Sequence, residues 1–471
     1  MEILKYLKGY PKIPIVKELV IMVDYCQINK SDIYRDYIVT SLYKRANEIE
    51  KAVVSYSKDK KVNIDDIIDL ILTSKLTGFP IMLLILAFIF WLTIAGANIP
   101  SKLLANILFS IEEKLSDIFI CFNAPSWLHG ILILGMFRTA VWVISVMLPP
   151  MAIFFPCFTL LEDLGYLPRV AFNLDRLFKK SGAHGKQSLT MAMGFGCNAA
   201  GVISCRIIDS PRERLIAILT NNFVPCNGRF PTLIAISTIL IGTASHSFLN
   251  SFLVSGLVII LILLGIVVTL LVSLIASKTF LKGTPSTFSL ELPPFRKPQI
   301  GRIIIRSIFD RTLFVLGRAV AVALPAGAVI WLLANITIGD ISILKHIANF
   351  LDPFALAIGL DGVIVLAFFL GLPANEIVLP IIFMSYLSTT TMIEIESIEQ
   401  MRQLFISNGW TSLTCLNIML FSLLHFPCAT TLWTIKKETQ SIKWTLASFI
   451  IPTVVAILIC FITKSIFSLL F

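Results

Sequence analysis

Gly194-Phe195-Gly196-Cys197-Asn198, followed by Val224-Pro225-Cys226-Asn227, decides the fold, because the chain repeats it in altered form. The second version reads Gly371-Leu372-Pro373-Ala374-Asn375-Glu376, followed by Phe426-Pro427-Cys428-Ala429. Both lie within apolar sequence. Glycine and proline interrupt helices, and thiol, amide and carboxylate groups bind metals. Hydrocarbon tolerates broken backbone only where it lines a protected cavity. One such break in each half is the pattern expected of a transport site between structural repeats.

Composition sets the surroundings. Of 471 residues, 56% are hydrophobic and 14% charged, and the mean hydropathy is +0.85. Apolar blocks run over roughly 79–98, 130–161, 212–243, 248–277, 309–338, 356–389, 409–435 and 444–470. Each reaches the about 20 residues a crossing requires. The chain therefore reads as an all-α polytopic membrane protein whose first partner is the lipid bilayer. The net charge of +10 does not indicate nucleic acid. Its bases sit in connections, Arg169 to Lys186, Arg206 to Arg214, Lys278 to Arg311 and Lys436 to Lys443, as positive-inside loops do. The nine cysteines form no close-spaced disulfide framework, and the charged start shows no cleavable signal peptide.

Charge and periodicity divide the chain into a small helical cytoplasmic domain (1–75), a first membrane region (76–278), a Pro-rich cytoplasmic linker (279–308) and a second membrane region (309–471). Within 1–75, the stretch Asp32 to Lys51 has apolar residues at helical spacing. Residues 101–121 are amphipathic and are expected as a separate interfacial helix. With the N-terminus inside, block 79–98 crosses and 130–161 returns. The short stretch 187–205, flanked by basic loops, then dips in from the inside. Glu394, Glu396 and Glu399 mark an external loop, so 356–389 dips in from outside. The two halves are thus expected as inverted repeats with re-entrant or broken helices.

The candidate metal ligands follow from the breaks: Cys197, Asn198, Cys226, Asn375, Glu376 and Cys428. Proline removes an amide hydrogen and displaces the carbonyl four residues back. Pro225 is expected to free the carbonyl of Asn221, and Pro427 that of Leu423, each near a thiol. One Pro-Cys pair alone reads as a kink with a small apolar filler, which is the reading kept for Pro156-Cys157. Two pairs at matching places read as a site. Asn227 and Arg229 add polarity that a lipid-facing helix would not carry. Gly194 and Gly196 are expected to give positive φ and close approach. Asn198 pairs with Asn375, and Glu376 is a membrane-embedded carboxylate, a site residue by default. Sulfur with carboxylate and amide oxygen suits Fe²⁺ better than Mg²⁺ or Ca²⁺. His425 is a weaker path candidate, since a lone helical histidine is more often structural. Glu162 and Asp163 either gather cations at a pore mouth or are solvated loop acids.

Other chemistry is not legible. Asn29-Lys30-Ser31-Asp32 matches a guanine-specificity tetrapeptide, but no phosphate loop precedes it, and Gly185-Lys186-Gln187 lacks the flanking residues of one. No metalloprotease helix or nucleophile elbow appears, so a transporter, not an enzyme, is expected.

Leu161-Glu162-Asp163-Leu164-Gly165-Tyr166, Arg169-Val170-Ala171-Phe172, Asp175-Arg176 and Gly194-Phe195-Gly196-Cys197-Asn198 together resemble the membrane part of the FeoB family of ferrous iron transporters. So do Leu372-Pro373-Ala374-Asn375-Glu376-Ile377-Val378-Leu379-Pro380 and Pro427-Cys428-Ala429-Thr430 ahead of Lys437-Glu438. The resemblance runs from about residue 35 to the C-terminus. It implies two Gate modules, related to nucleoside-transporter-like repeats, with Cys197, Cys226 and Cys428 along an Fe²⁺ path. It further implies a bacterial cytoplasmic membrane, a homo-oligomer, and a small FeoA-like cytoplasmic partner. The family's G domain is not found in this sequence, so a separate G-domain protein is the expected gate. Ala199-Ala200-Gly201 and Asn227-Gly228-Arg229 depart from the family's usual residues. The alternatives are a nucleoside-like organic solute carrier on the same fold and a non-transporting membrane sensor or scaffold.

Overall fold

The computed structural model describes residues 41–50, 52–54, 64–74, 76–241, 248–282, 294–296, 298–339, 341–393, 395 and 397–470. Asn29 to Asp32, half of the 32–51 stretch, Glu394 and Glu396 lie outside these residues. Among the described residues, seven helices are long and apolar enough to cross a bilayer, or eight if one bent pair counts as a span.

After the short helix α1 (Ile64–Thr73), α2 runs unbroken over Gly78–Cys121. At 1.5 Å per residue its 44 residues extend about 66 Å, twice the hydrocarbon thickness. Residues 101–121 are therefore not a separate interfacial helix; they continue the first span through Pro100. Tertiary contacts explain why. The extension packs on α3 (Ser126–Asp163), where Glu112 pairs with Arg138 at 2.6 Å and Ser116 meets His129 at 2.9 Å. An amphipathic stripe shows that a helix has two faces, but not whether lipid or protein covers the apolar one.

Next come α4 (Tyr166–Lys180), α5 (Gln187–Gly196) and α6 (Asn198–Ser204). The break between α5 and α6 is at Cys197, whose backbone is extended (φ −154°, ψ 126°). A Cβ on Gly201 would lie 2.9 Å from the carbonyl oxygen of Thr190, although a straight helix would separate those residues by about 16 Å. The chain thus doubles back, and α5 and α6 form a hairpin with Cys197 at its tip. The second hairpin joins α12 (Gly362–Leu370) to α13 (Val378–Tyr386). Its base is closed by Tyr386, whose hydroxyl donates to Asp361. Asp361 also caps α12, accepting from the Ile364 amide at 2.7 Å. The break residue Ala374 has φ −154° and ψ 124°, nearly the same as Cys197.

Two broken spans pass between the hairpins. The first, Pro211–Ile241, consists of α7 (Pro211–Thr220), an irregular segment, and α8 (Phe230–Ile241). Ser210 caps α7 by accepting from Glu213, and Pro211 takes the first helical position. The helices α9 (Phe248–Lys278), α10 (Ile300–Asn335) and α11 (Ile343–Ala357) follow. The last is bent by 110° against α12. Helix α10 starts at Ile300, so the tail of the expected linker already belongs to a span. After α14 (Ile398–Ser407), the second broken span, Ser412–Thr439, consists of α15 (Ser412–Leu424) and α16 (Ala429–Thr439). Helix α17 (Ile442–Leu470) closes the bundle.

The second broken span fixes the relative direction of the hairpins. Just before it begins, the Trp410 ring N–H donates to Tyr386 at 2.7 Å, at the base of the second hairpin. At its far end Glu438 accepts two bonds from Arg206, 2.8 and 2.6 Å, at the base of the first. Cys428 lies between. The hairpins therefore enter from opposite faces and meet tip to tip, the arrangement expected of inverted repeats.

Candidate functional site

The hairpin tips and both span breaks enclose a cavity of about 30 Å³, space for roughly one or two waters or an ion. Cys197, Asn198, Cys226, Asn375, Glu376 and Cys428 all line it, with Met147 and Met151 of α3, Gly228, Val315, Ala319, Pro373 and Thr430. The two cysteines of the Pro-Cys pairs share a backbone geometry, φ −82° and ψ 167° at Cys226, φ −62° and ψ 159° at Cys428. Each of the three thiols is the residue immediately before a helical segment, with Cys197 preceding α6 and Cys428 preceding α16. A helix N-terminus supports negative charge, and the thiolate is the metal-binding form of cysteine. Among the described residues no three His, Cys, Asp or Glu side chains converge closely enough to hold a metal unaided. The cavity gathers donors without closing them into a finished coordination sphere.

Glu376 is half-buried, and its carboxylate packs on Gly228, where a Cβ would collide with it. Asn375 is fixed by two neighbours. Its Nδ2 lies 3.8 Å from Cys226 Sγ and its Oδ1 3.4 Å from His425 Nε2. His425 Nδ1 faces the carbonyls of Phe421 and Ser422, both at 3.0 Å, so this nitrogen carries the proton. Nε2 is then an acceptor. The complementary arrangement turns the Asn375 amide so that its N–H donates to Nε2 and its oxygen faces the Cys226 thiol. His425 itself is buried and packed against Phe368, Phe421 and Phe426. It is absent from the cavity wall and meets the cavity only through Asn375.

The carbonyls freed by the prolines are not bare, contrary to expectation. Leu423 O accepts from Arg229 Nη1 at 2.7 Å, and Asn221 O accepts from the Val224 amide at 3.3 Å. Arg229 is fully buried and was legible only as misplaced polarity. Its Nη1 also donates to Asn222 O at 2.9 Å, and its Nη2 to Asn222 Oδ1, His425 O and Phe426 O at 3.0, 3.2 and 3.3 Å. Asn222 Nδ2 donates to His425 O at 2.6 Å and its Oδ1 accepts from Asn198 at 3.3 Å. A polar chain thus crosses from one half to the other behind the cavity. Sequence reasoning missed Asn221 and Asn222; the signal was two amides and a guanidinium inside one apolar block.

The glycines of the first tip do not have positive φ. They serve close approach: a Cβ on Gly194 would lie 3.1 Å from the Asn221 side chain, and one on Gly196 would press on Phe154 at 2.5 Å.

Glu162 and Asp163 line a different cavity of about 700 Å³, shared with Arg296, Arg302 and Arg306. They lie about 16 Å further along α3 than Met151, and three arginines offset their charge, so they form no acidic mouth. Pro156-Cys157 stays within continuous α3, as a kink would.

Comparison with known proteins agrees with this geometry. A family model described as "Gate: Nucleoside recognition" matches residues 144–240 and again 316–442, the two halves that carry the hairpins. A second, described as "Ferrous iron transport protein B C terminus", matches 258–310. A protein named Fe(2+) transporter FeoB from Staphylococcus aureus (strain MSSA476) is 30% identical over 438 residues, covering 87% of this chain and 60% of that protein. One of the same name from Campylobacter jejuni is 24% identical, covering 88% and 67%. A Porphyromonas gingivalis protein named Fe(2+) transport protein A/Fe(2+) transporter FeoB fusion protein is 25% identical, covering 85% and 51%. The chain spans about 60% of the length of the Staphylococcus relative. No solved structure matches. The chain belongs to the FeoB family and carries its membrane region, a helical multi-pass assembly of two Gate repeats.

Proposed function

We propose that the chain carries Fe²⁺ across the cytoplasmic membrane of a bacterium through the cavity between the hairpin tips. One observation carries the reading: two hairpins from opposite faces and two broken spans bring three thiols, three amides and one carboxylate to a single ion-sized cavity. Thiolate with carboxylate and amide oxygen is a borderline ligand set suited to Fe²⁺. A donor set left open releases its ion, whereas a closed tetrahedral shell would store it. The naming of the Staphylococcus and Campylobacter relatives as Fe(2+) transporters supports this cargo independently.

The base of the first hairpin lies with Lys186, Arg206, Lys436 and Lys437. By the positive-inside rule that face is cytoplasmic, which puts the base of the second hairpin outside. Gating falls to a GTPase, on this reading a separate protein, and the fused Porphyromonas relative supports a FeoA-like partner.

A nucleoside carrier on the same scaffold is disfavoured by size. A cavity of about 30 Å³ is an order of magnitude below the roughly 300 Å³ at which small-molecule pockets begin. Purified protein in proteoliposomes should accumulate Fe²⁺ but not nucleosides. Cys197→Ser combined with Cys226→Ser should lower the initial rate by at least about tenfold. Undiminished Fe²⁺ flux in that double variant would remove the thiols from the path, and no flux in any variant would favour a sensor.

A further inference from the structure

Arg229 is a charged side chain at the centre of a membrane protein, and among the described residues it forms no ion pair with a carboxylate. Its partners are instead five oxygens: the carbonyls of Asn222, Leu423, His425 and Phe426, and the Asn222 amide oxygen. These oxygens come from where both spans unwind. In transporters built of broken helices, unwound carbonyls and the C-terminal ends of half-helices are where coupling cations bind. An all-oxygen set of this size is also what hard cations prefer.

We propose that the Arg229 guanidinium is a tethered cation that permanently fills the seat a coupling ion such as Na⁺ takes in other broken-helix transporters. The seat is distinct from the cargo cavity. Arg229, Asn222, Leu423, His425 and Phe426 are all absent from the cavity wall. The guanidinium draws oxygens from both halves, so it also joins the two span breaks. Arg229 is thus a positioning residue that does not touch the cargo. The inference rests on the transport reading for its consequence, that uptake needs no monovalent co-ion, but not for the seat itself.

Two measurements test it. Fe²⁺ uptake by the unaltered protein should be the same, within about twofold, in sodium, potassium and choline media; a tenfold stimulation by sodium overturns the proposal. Arg229→Ala vacates the seat, and its uptake should fall by about tenfold or more. Millimolar guanidinium, but not equal choline, should restore both uptake and melting temperature in detergent, with no such gain in the unaltered protein. Absence of rescue by guanidinium overturns the proposal. If Arg229→Ala does not fold, Arg229→Lys and Arg229→Gln replace it. The lysine variant keeps a cation in the seat and should melt higher, and equal melting temperatures overturn the proposal. If the unaltered protein shows no Fe²⁺ uptake, the transport reading fails while the melting arms still decide the seat.

Discussion

Gly228 has no side chain because the Glu376 carboxyl group fills the space. A Cβ built there would lie 2.5 Å from Glu376 Cδ, 3.0 Å from Oε2 and closer still to Oε1. Carbon atoms reach favourable contact near 3.5 Å, so in Gly228→Ala the carboxyl group must retreat by about 1 Å. Metal–ligand distances are met within about 0.2 Å, so the substitution takes Glu376 off its coordinating position without deleting it. The backbone accepts alanine, since Gly228 does not have positive φ. The adjoining cavity gives the displaced side chain room, which keeps the destabilisation near 1 kcal/mol, the low end for overpacking. Uptake should suffer more, by about ten- to a hundredfold, as for other displaced groups around a metal.

A double-mutant cycle separates this cause from general damage. Initial rates of radioiron uptake into proteoliposomes would be measured for Gly228→Ala, Glu376→Ala and the pair. Once the carboxylate is gone, the added methyl group has nothing to displace, so the pair should equal Glu376→Ala alone. If Gly228→Ala slows uptake by the same factor in the Glu376→Ala background as in the unaltered protein, the reasoning is refuted.

Two further outcomes follow from the same contacts. His425→Phe keeps a packed ring but frees Asn375, so half-saturation for Fe²⁺ should rise by roughly tenfold at unchanged yield; unchanged uptake kinetics would leave His425 as packing only. Asp69 binds the buried Arg169 through two bonds, 2.8 and 3.2 Å, while Arg169 also lies 4.0 Å over the Phe295 ring. Asp69→Asn should release α1 from α4 at a cost of about 1–2 kcal/mol, below the 3–5 kcal/mol of a fully buried pair because Asp69 is one-third exposed. Faster hydrogen exchange confined to residues 64–73 would show it, and unchanged exchange there would rule it out.

The sequence carries its breaks openly because hydrocarbon enforces them. Glycine, proline and amide residues within apolar blocks mark both hairpin tips and both span breaks, and the sequence alone pairs Asn198 with Asn375. What stayed hidden depends on partners distant in the chain. Whether 101–121 lies on lipid or on protein is decided by Arg138 and His129. Whether a proline-freed carbonyl is bare is decided by Arg229, 194 residues from Leu423. Gly194 and Gly196 look like turn glycines, yet what they accommodate are Asn221 and Phe154. Glu162 and Asp163 look like an acidic mouth until three arginines of the 279–308 segment are placed beside them.

The repeat is symmetric in backbone and asymmetric in chemistry, and the asymmetry has a consequence for transport. Cys197 and Ala374 have nearly the same dihedral angles at equivalent tips. One presents sulfur and the other a methyl group. The residue after Asn198 is Ala199, and the one after Asn375 is Glu376. In the span breaks, Gly228 and Arg229 stand where the second half has Thr430 and Thr431, two and three residues past the respective cysteines. Faithful duplication would have placed a second guanidinium group behind the cavity and a second carboxylate in its wall, where like charges repel at close range. With a single acid on the second hairpin and a single guanidinium on the first span, each charge is used once. On the proposed reading, movement of the first hairpin withdraws Cys197 and Asn198, and movement of the second withdraws Asn375 and Glu376. An ion in the cavity therefore faces a ligand set poorer in sulfur when one side opens and lacking the carboxylate when the other does. Two open states with different affinities for the same ion are what a cargo must encounter for its binding to bias the exchange between them.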